Sequence, residues 1–376
     1  MIYDTIIVGA GPAGATAAKA LTNSGQKILI LDKASFPRDK LCAGGVTAKV
    51  VPLLPRGFHN YYKAAITKGS LHYYRPESFI SMQTEEPCVY MVERKDFDSY
   101  LLDAAIASGA LLREGTKVTA LCQYANHVEI QTNSCDILKA RYIVAADGAN
   151  STIRSLTSQK KQLCSAFCLE AKVPWQPQHD EIILNFGNIQ SGYAWIFPKG
   201  DYASIGVAIY RNMLPSIMTY YTQFLNRYGI KWEKPKGYNL PMYSLDSTLT
   251  NKRIFFTGDA ARLVDPITGE GIYHAILSGT LAAQALISNN PSRTYRSMMK
   301  KTVLSELKKA YLMAKIIYKL PDHFFKTLKQ NTELAEAYLD ITSGKKNYAN
   351  LLWMGLKYPV KNPLEAIRIL LSTLEY

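Results

Sequence analysis

The sequence predicts an α/β fold carrying an inserted, mostly antiparallel β-sheet and a C-terminal helical region. Three observations lead there. An apolar strand, a glycine-rich turn and an alanine-rich helix follow one another between Tyr3 and Leu21. A second short apolar strand, Ile254-Phe255-Phe256, runs into another glycine-rich turn and a helix from about Gly271 to Ile287. Between these units lie strand-like runs separated by turns, such as Ser70–Tyr74, Glu181–Phe186, Gly192–Phe197 and Ala203–Ile209, broken by one helix from about Pro215 to Tyr228.

The first unit carries Gly9-Ala10-Gly11-Pro12-Ala13-Gly14, followed by a second apolar strand, Lys27–Leu31, that ends at Asp32. This is G-x-G-x-x-G with a strand before it, a helix after it and an acid beyond, the Rossmann-like arrangement for a dinucleotide. Gly9 allows the tight turn, Gly11 lets backbone approach a pyrophosphate, and Gly14 lets helix and strand pack closely. The helix that opens at Pro12 and Ala13 offers the free N–H groups of its first turn, from Ala13 on, and a positive dipole end to phosphates. Asp32 is expected to accept hydrogen bonds from an adenosine ribose, with Lys33 beside it. The motif alone does not separate FAD from NAD.

The second unit separates them. It reads Gly258-Asp259-Ala260-Ala261, then Pro266 and Gly269-Glu270-Gly271-Ile272. A nicotinamide domain has no need of a second glycine-rich junction so far along the chain. FAD does, because its adenosine sits at the first motif and its ribityl chain and isoalloxazine must be held elsewhere. These residues resemble the flavin-contact motif of the aromatic hydroxylase and geranylgeranyl reductase superfamily. The resemblance implies that Asp259 bonds a ribityl hydroxyl and that the Gly269–Ile272 backbone, opening a helix, faces the flavin N1–C2=O edge, where reduced flavin carries negative charge. Asp147-Gly148, Arg94 and Val118 resemble further family contacts: the Asp-Gly motif near the cofactor, the arginine of the ribityl and phosphate region, and backbone contact to adenine.

Two stretches resemble the geranylgeranyl reductases in particular, which reduce isolated C=C bonds of isoprenoid chains. Pro37-Arg38-Asp39-Lys40-Leu41-Cys42-Ala43-Gly44-Gly45 is similar to their Pro-Arg…Cys-Gly stretch, with Ala43 where glycine is common. The resemblance implies that Arg38, Cys42, Ala43 and Gly44 lie near the cofactor. Tyr193-Ala194-Trp195-Ile196-Phe197-Pro198 is similar to their Pro-x-x-Tyr-x-Trp-x-Phe-Pro motif, although Gln190 holds the leading proline position. Alternation places Tyr193, Trp195 and Phe197 on one strand face, an aromatic wall for an apolar polyene. Flavin halogenases carry Trp-x-Trp-x-Ile-Pro at a comparable place, from which Tyr193 and Phe197 depart.

The expected FAD domain is discontinuous, over 1–65, 90–160 and 250–290, with a substrate domain at 66–89 and 160–249 and a helical region at 291–376. The formal net charge is +14 over 376 residues, and the sequence pI is about 9.3. Residues 291–376 hold 15 basic and 7 acidic residues, so they supply +8 of it. Val303, Leu307, Ala310, Ala314 and Ile317 fall at helical spacing in that region, so an anionic membrane surface is one expected partner and packing on the domain is the other. No nucleic-acid motif accompanies the charge. The six cysteines (Cys42, Cys88, Cys122, Cys135, Cys164, Cys168) form no Cys-x-x-Cys pair, and Cys164 and Cys168 lack further ligands, so no metal is expected. With no apolar run near the ~20 residues of a bilayer span and no signal peptide evident, a cytoplasmic protein, peripheral on the membrane at most, is expected.

Together these point to an FAD-dependent reductase of isoprenoid double bonds. Its flavin would be reduced by NADPH or a reduced ferredoxin and would pass hydride from N5 to the alkene. Cys42 and Tyr193 are the candidate acids. An FAD-dependent monooxygenase of a hydrophobic substrate is the alternative, and a flavin-binding scaffold without small-molecule chemistry is the third.

Overall fold

Five strands run parallel in the order Ile254–Phe256, Ile137–Ala145, Ile2–Val8, Ile28–Leu31, Leu111–Arg113. Thr250–Asn251 adds antiparallel at one edge, and the hairpin Val118–Gln123 with Val128–Thr132 extends from the Ile137–Ala145 strand. The computed structural model describes residues 1–157, 165–176, 180–188, 192–210 and 217–356; Cys164, Gln190 and Pro215 lie outside them. All four residues of Ile28–Leu31 are buried, as a parallel strand covered on both faces requires.

Register decides where the motifs meet. Val8 pairs with both Leu31 and Ala145, and Ala145 pairs with Phe256. The strands therefore end level, and Gly9, Asp32, Asp147 and Gly258 all emerge at one edge of the sheet, where open α/β sheets bind ligands. The helix Pro12–Thr22 packs on Ile272–Leu286 at small residues. A Cβ on Gly279 would come within 3.1 Å of the Ala13 carbonyl carbon, so the two helices lie backbone to backbone.

A second, seven-stranded sheet is ordered Lys236–Leu240, Ala166–Pro174, Tyr202–Tyr210, Gly192–Pro198, Glu181–Phe186, Lys68–Tyr73, Arg75–Gln83. It is antiparallel except where Glu181–Phe186 runs parallel to Lys68–Tyr73. One face packs on the helix Ile217–Arg227 through Leu169, Ile205, Val207, Tyr221 and Phe224. The other turns towards the first sheet. A third sheet of Gly45–Thr47, Val89–Val92 and Tyr62–Ile66 bridges them. It draws on both sides of the boundary expected at 65/66.

The helices Pro291–Met299, Ser305–Lys319, Pro321–Gln330, Thr332–Ser343 and Tyr348–Leu356 wrap both units. A π-helical turn, Lys300–Leu304, joins the first two. Val303 and Leu307 belong to the core under the first sheet; Ala310, Ala314 and Ile317 belong to a second core with Leu71, Met82 and Ile182. The apolar stripe expected to meet a membrane is thus buried within the protein. The stripe is apolar as expected, but the protein's own cores cover it, Val303 and Leu307 under the first sheet and Ala310, Ala314 and Ile317 against the second. Among the described residues, no helix is long and apolar enough to cross a membrane.

Candidate functional site

One connected cavity of about 830 Å³ runs along the shared strand edge and under the second sheet. That is near the upper end of ligand clefts, about 300–1,000 Å³. At one end stand Asp32, Lys33, Thr116 and Val118; in the middle Gly11, Pro12, Ala13, Arg38 and Asp259; further on Cys42, Ala43, Gly44 and Gly269–Ile272. Beyond these the cavity continues past Tyr193, Trp195 and Phe197.

The three glycines of the first motif do different jobs. Gly9 has φ +103°, and a Cβ there would overlap the Ala146 carbonyl. A Cβ on Gly14 would overlap the Gly9 carbonyl oxygen, so Gly14 lies behind the lining as a packing residue. A Cβ on Gly11 would meet only the Arg38 guanidinium, at 3.3 Å, so the space in front of it is open cavity. Asp32 clamps the turn: Ala10 N–H donates to Oδ2 at 2.7 Å and Ala34 N–H to Oδ1 at 2.9 Å.

Asp147 is likewise partly structural. It accepts from Ser151 Oγ at 2.6 Å and Ile153 N–H at 3.0 Å, holding the start of the helix Thr152–Leu156, while burial raises its carboxyl above the ordinary range. A Cβ on Gly148, which sits at φ +80°, would meet nothing within 4 Å, and the residue opens on the cavity. Arg154 ties the two cofactor stretches together. Its Nε donates to the Ala260 carbonyl at 2.8 Å, and its guanidinium lies 4.5 Å from the Phe256 ring centre.

Arg94 is fully enclosed. It holds Asp98 with both ends of its fork, at 2.7 and 2.8 Å, and Arg38 reaches the same carboxylate at 3.2 Å. Burial opposes the Arg94 charge, but Asp98 and the neighbouring Cys42 outweigh it and hold the guanidinium above its ordinary value. The turn Cys42–Gly45 is set from below by Lys199, whose Nζ donates to the Val92 carbonyl at 3.0 Å and would lie 2.7 Å from a Cβ on Gly44.

Asp259 faces the cavity and pairs with Lys40 at 3.3 Å. Gly258, Pro266 and Pro198 stand behind the lining, as Gly14 does, whereas the other site residues singled out from the sequence line the cavity. The Gly258 N–H donates to Ser278 at 2.9 Å, and the Pro266 carbonyl accepts from Tyr318 at 3.3 Å. The adjacent Glu270 binds Lys49 at 2.6 Å, and Asp265 accepts from Tyr348 at 2.8 Å. The C-terminal helices thereby hold the loop that leads into Gly269–Ile272.

On the inner face of the second sheet, Tyr193 and Trp195 have ring centres 5.9 Å apart and form a small apolar cluster with Cys168 and Ala208. Burial pushes the Tyr193 phenol well above its ordinary value, so it stays protonated. Sequence reasoning missed the far lining: Leu71, Met82, Ile182, Leu184, Tyr238 and, from the helix Thr332–Ser343, Tyr338 and Leu339. Leu71, Ile182 and Leu184 fall within the strand-like runs Ser70–Tyr74 and Glu181–Phe186, where alternation is the signal that could have found them; nothing local marked the helix residues.

The residues fit FAD. An elongated cleft with an open Gly11, a helix start on the phosphate side, an acid at each ribose-like position and a second helix start at the far end matches a dinucleotide with a large planar head.

Residues 2–174 match the family model described as an FAD binding domain. The chain is 32% identical over 326 residues to an uncharacterized protein of Methanosarcina barkeri, covering 84% of each. It is 31% identical over 307 residues to the geranylgeranyl diphosphate reductase of Rhodobacter capsulatus, covering 77% of this chain and 76% of the relative. In fold it matches the crystal structure of a geranylgeranyl bacteriochlorophyll reductase-like protein from Thermoplasma acidophilum with TM-score 0.77 at 20% identity, covering 94% of this chain and 98% of the other. Geometry and kinship agree: the chain is an FAD-dependent oxidoreductase, and it belongs to the geranylgeranyl reductase and aromatic hydroxylase-like superfamily of flavoproteins.

Proposed function

We propose that the protein reduces isolated C=C bonds in an isoprenoid chain carried by a lipid or diphosphate. The observation that carries this reading is the continuity of the cavity. The aromatic wall of Tyr193, Trp195 and Phe197, and the apolar stretch beyond it at Leu71, Met82, Ile182 and Leu339, open into the same space as Gly269–Ile272 and Cys42. A polyene has large apolar area and few polar groups, which is what such a lining accommodates without stranding a hydrogen bond.

Bound FAD, once reduced by NADPH or reduced ferredoxin, supplies hydride. The chain's residues do the rest. Gly11 and the start of the helix Pro12–Thr22 hold the pyrophosphate, Asp32 the adenosine ribose, and Asp259 the ribityl chain. The start of the helix Ile272–Leu286 favours negative charge on the cofactor's reduced form. Phe197, Trp195 and Tyr193 exclude water and face the alkene with electron-rich rings, which favour positive charge developing on carbon. The second hydrogen is a proton, and Cys42, half-buried on the cavity wall, is the group assigned to deliver or place it. Tyr193 is the second donor assigned on the same wall, although burial opposes the loss of its proton. The basic face of the C-terminal helices would rest on an anionic lipid surface, where an isoprenoid lipid is met.

Cys42→Ala and Trp195→Ala test the assignment. Both should retain FAD and its reduction by the donor. The first should lower or redirect alkene reduction, and the second should raise the apparent KM for long chains, since an aromatic contact removed from an apolar wall costs a few kcal/mol. Parent-like lipid reduction in both would remove the substrate from this wall, and oxygen uptake coupled to substrate would indicate hydroxylation instead.

A further inference from the structure

Glu170 is a buried carboxyl in the middle of an apolar sheet face, and nothing in the reaction above uses it. Three adjacent strands align Glu170, Gly206 and Trp195 in cross-strand register. Because Gly206 has no side chain, the indole lies flat across the middle strand. A Cβ there would fall 2.7 Å from the indole Cε2 and 2.5 Å from the Leu169 carbonyl oxygen. The indole Nε1–H donates to Ser204 Oγ at 3.2 Å, and the Ser204 hydroxyl donates to Glu170 Oε1 at 2.8 Å. Glu170, Ser204 and Trp195 are 5%, 1% and 4% exposed, so water does not compete for these bonds. Glu170 Oε2 is buried without a hydrogen-bond partner.

A buried chain of this kind is costly unless each link satisfies another, and it fixes geometry where apolar packing alone would leave a ring free to turn. The indole N–H has one acceptor, Ser204. That hydroxyl is oriented to accept because it donates to Glu170. The groups around the carboxyl are Lys172 on its own strand, Lys199 after the aromatic strand, and Tyr238 on the neighbouring strand, with Cys168 two residues before it. Burial holds the Glu170 carboxyl above the ordinary range against the opposing pull of Ser204 and the two lysines. A protonated carboxyl still accepts from Ser204 and leaves no bare charge behind the wall.

We infer that Glu170, acting through Ser204, is a positioning residue that locks the Trp195 indole across Gly206 and so sets the cross-section of the apolar end of the cavity. The consequence for specificity rests on reading that end as the seat of an isoprenoid chain; the locking itself does not. With the lock in place, the wall is flat and admits a slender chain. Without it, the indole turns to seek another acceptor, and its ring moves into the space beside Cys168 and Tyr193.

The test uses the FAD-loaded full chain and the variants Glu170→Gln, Glu170→Leu and Ser204→Ala. The Trp195 indole N–H signal is assigned by its loss in Trp195→Phe. Its hydrogen exchange should quicken by about three- to tenfold in the Leu and Ala variants, the change expected for loss of one buried hydrogen bond, and stay protected in the Gln variant, which still offers Ser204 an acceptor. With a geranylgeranyl lipid as probe, the Leu and Ala variants should raise KM while kcat holds. Unchanged indole exchange in Ser204→Ala overturns the inference even if Glu170→Leu fails to fold. So does a Gln variant as unprotected as the Leu variant, since the carboxyl would then act through its charge. If exchange responds as stated while no version reduces the lipid, the lock stands and the isoprenoid reading falls.

Discussion

The Tyr193 phenol occupies the space into which a Cβ on Gly269 would project, and Gly269 itself sits at φ +70°. The wall assigned to substrate and the turn assigned to the flavin are therefore in direct contact. Any side chain at Gly269 must move Tyr193 or the turn, and it also takes a left-handed backbone that costs about 1–2 kcal/mol for an L-residue. Gly269→Ala should weaken FAD retention about 5- to 30-fold, the factor that such an energy represents. Flavin titration of the apoprotein measures it, and unchanged affinity would separate Gly269 from the cofactor.

Gly11→Val should abolish FAD binding and leave the apoprotein folded. Its side chain would enter open cavity past a movable Arg38, while no backbone atom stands in its way. Gly14→Val should do the reverse and fail to fold, because its Cβ would overlap the Gly9 carbonyl oxygen. Circular dichroism and the flavin spectrum of the two variants distinguish these outcomes. A normal flavin spectrum in folded Gly11→Val would move the phosphate site.

Glu93 supplies a pH dependence. It binds Lys172 at 2.7 Å and Lys199 at 3.2 Å, and Tyr202 donates to it as well. Burial alone would raise its carboxyl, but these partners pull it from 4.5 to about 2. A depressed carboxyl contributes stability that is fully present above about 4.5 and is lost as pH falls through about 2. Lys199 supports the Cys42–Gly45 turn, so acid should loosen that turn. Glu93→Gln should be less stable than the parent at neutral pH and should flatten the parent's loss of stability between pH 4.5 and 2 in denaturant titrations.

Removing residues 291–376 does not isolate membrane contact, because Tyr295, Met299, Val303 and Leu307 are part of the main core. The free basic stripe is Arg293, Arg296, Lys300, Lys301 and Lys308, all exposed. Reversing three of them to glutamate should leave the melting temperature within a few degrees. It should weaken binding to anionic vesicles steeply, since each basic residue at such a surface contributes about 1 kcal/mol. Vesicle binding indifferent to both charge reversal and salt would leave the stripe as a solvated face.

The parts legible in the sequence were those in which local geometry demands particular residues. Gly9 and Gly14 each answer a steric condition, and the strands Glu181–Phe186 and Ile254–Phe256 have the bounds that alternation and apolar runs predicted. What pairs across long distances was not legible. The helix residues Tyr338 and Leu339 reach the cavity only because the chain returns from its C-terminal end. The stripe Val303–Ile317 shows an apolar face, and periodicity does not say whether lipid or a sheet covers it. Glu170 belongs to no motif, and nothing local in the sequence marks it as buried. Its link to Trp195 runs across the empty place at Gly206, and Glu170 itself lies two strands from the aromatic motif.

In the proposed reaction, one cavity joins the FAD site to a seat for an isoprenoid chain. The most direct measurement mixes anaerobically reduced protein with geranylgeranyl lipids and follows lipid mass. Each turnover of reduced flavin should add two hydrogens to the lipid, with flavin reoxidation matching the gain one for one. Flavin that stays reduced beside unchanged lipid, or reoxidises only when oxygen is admitted, would contradict the claim.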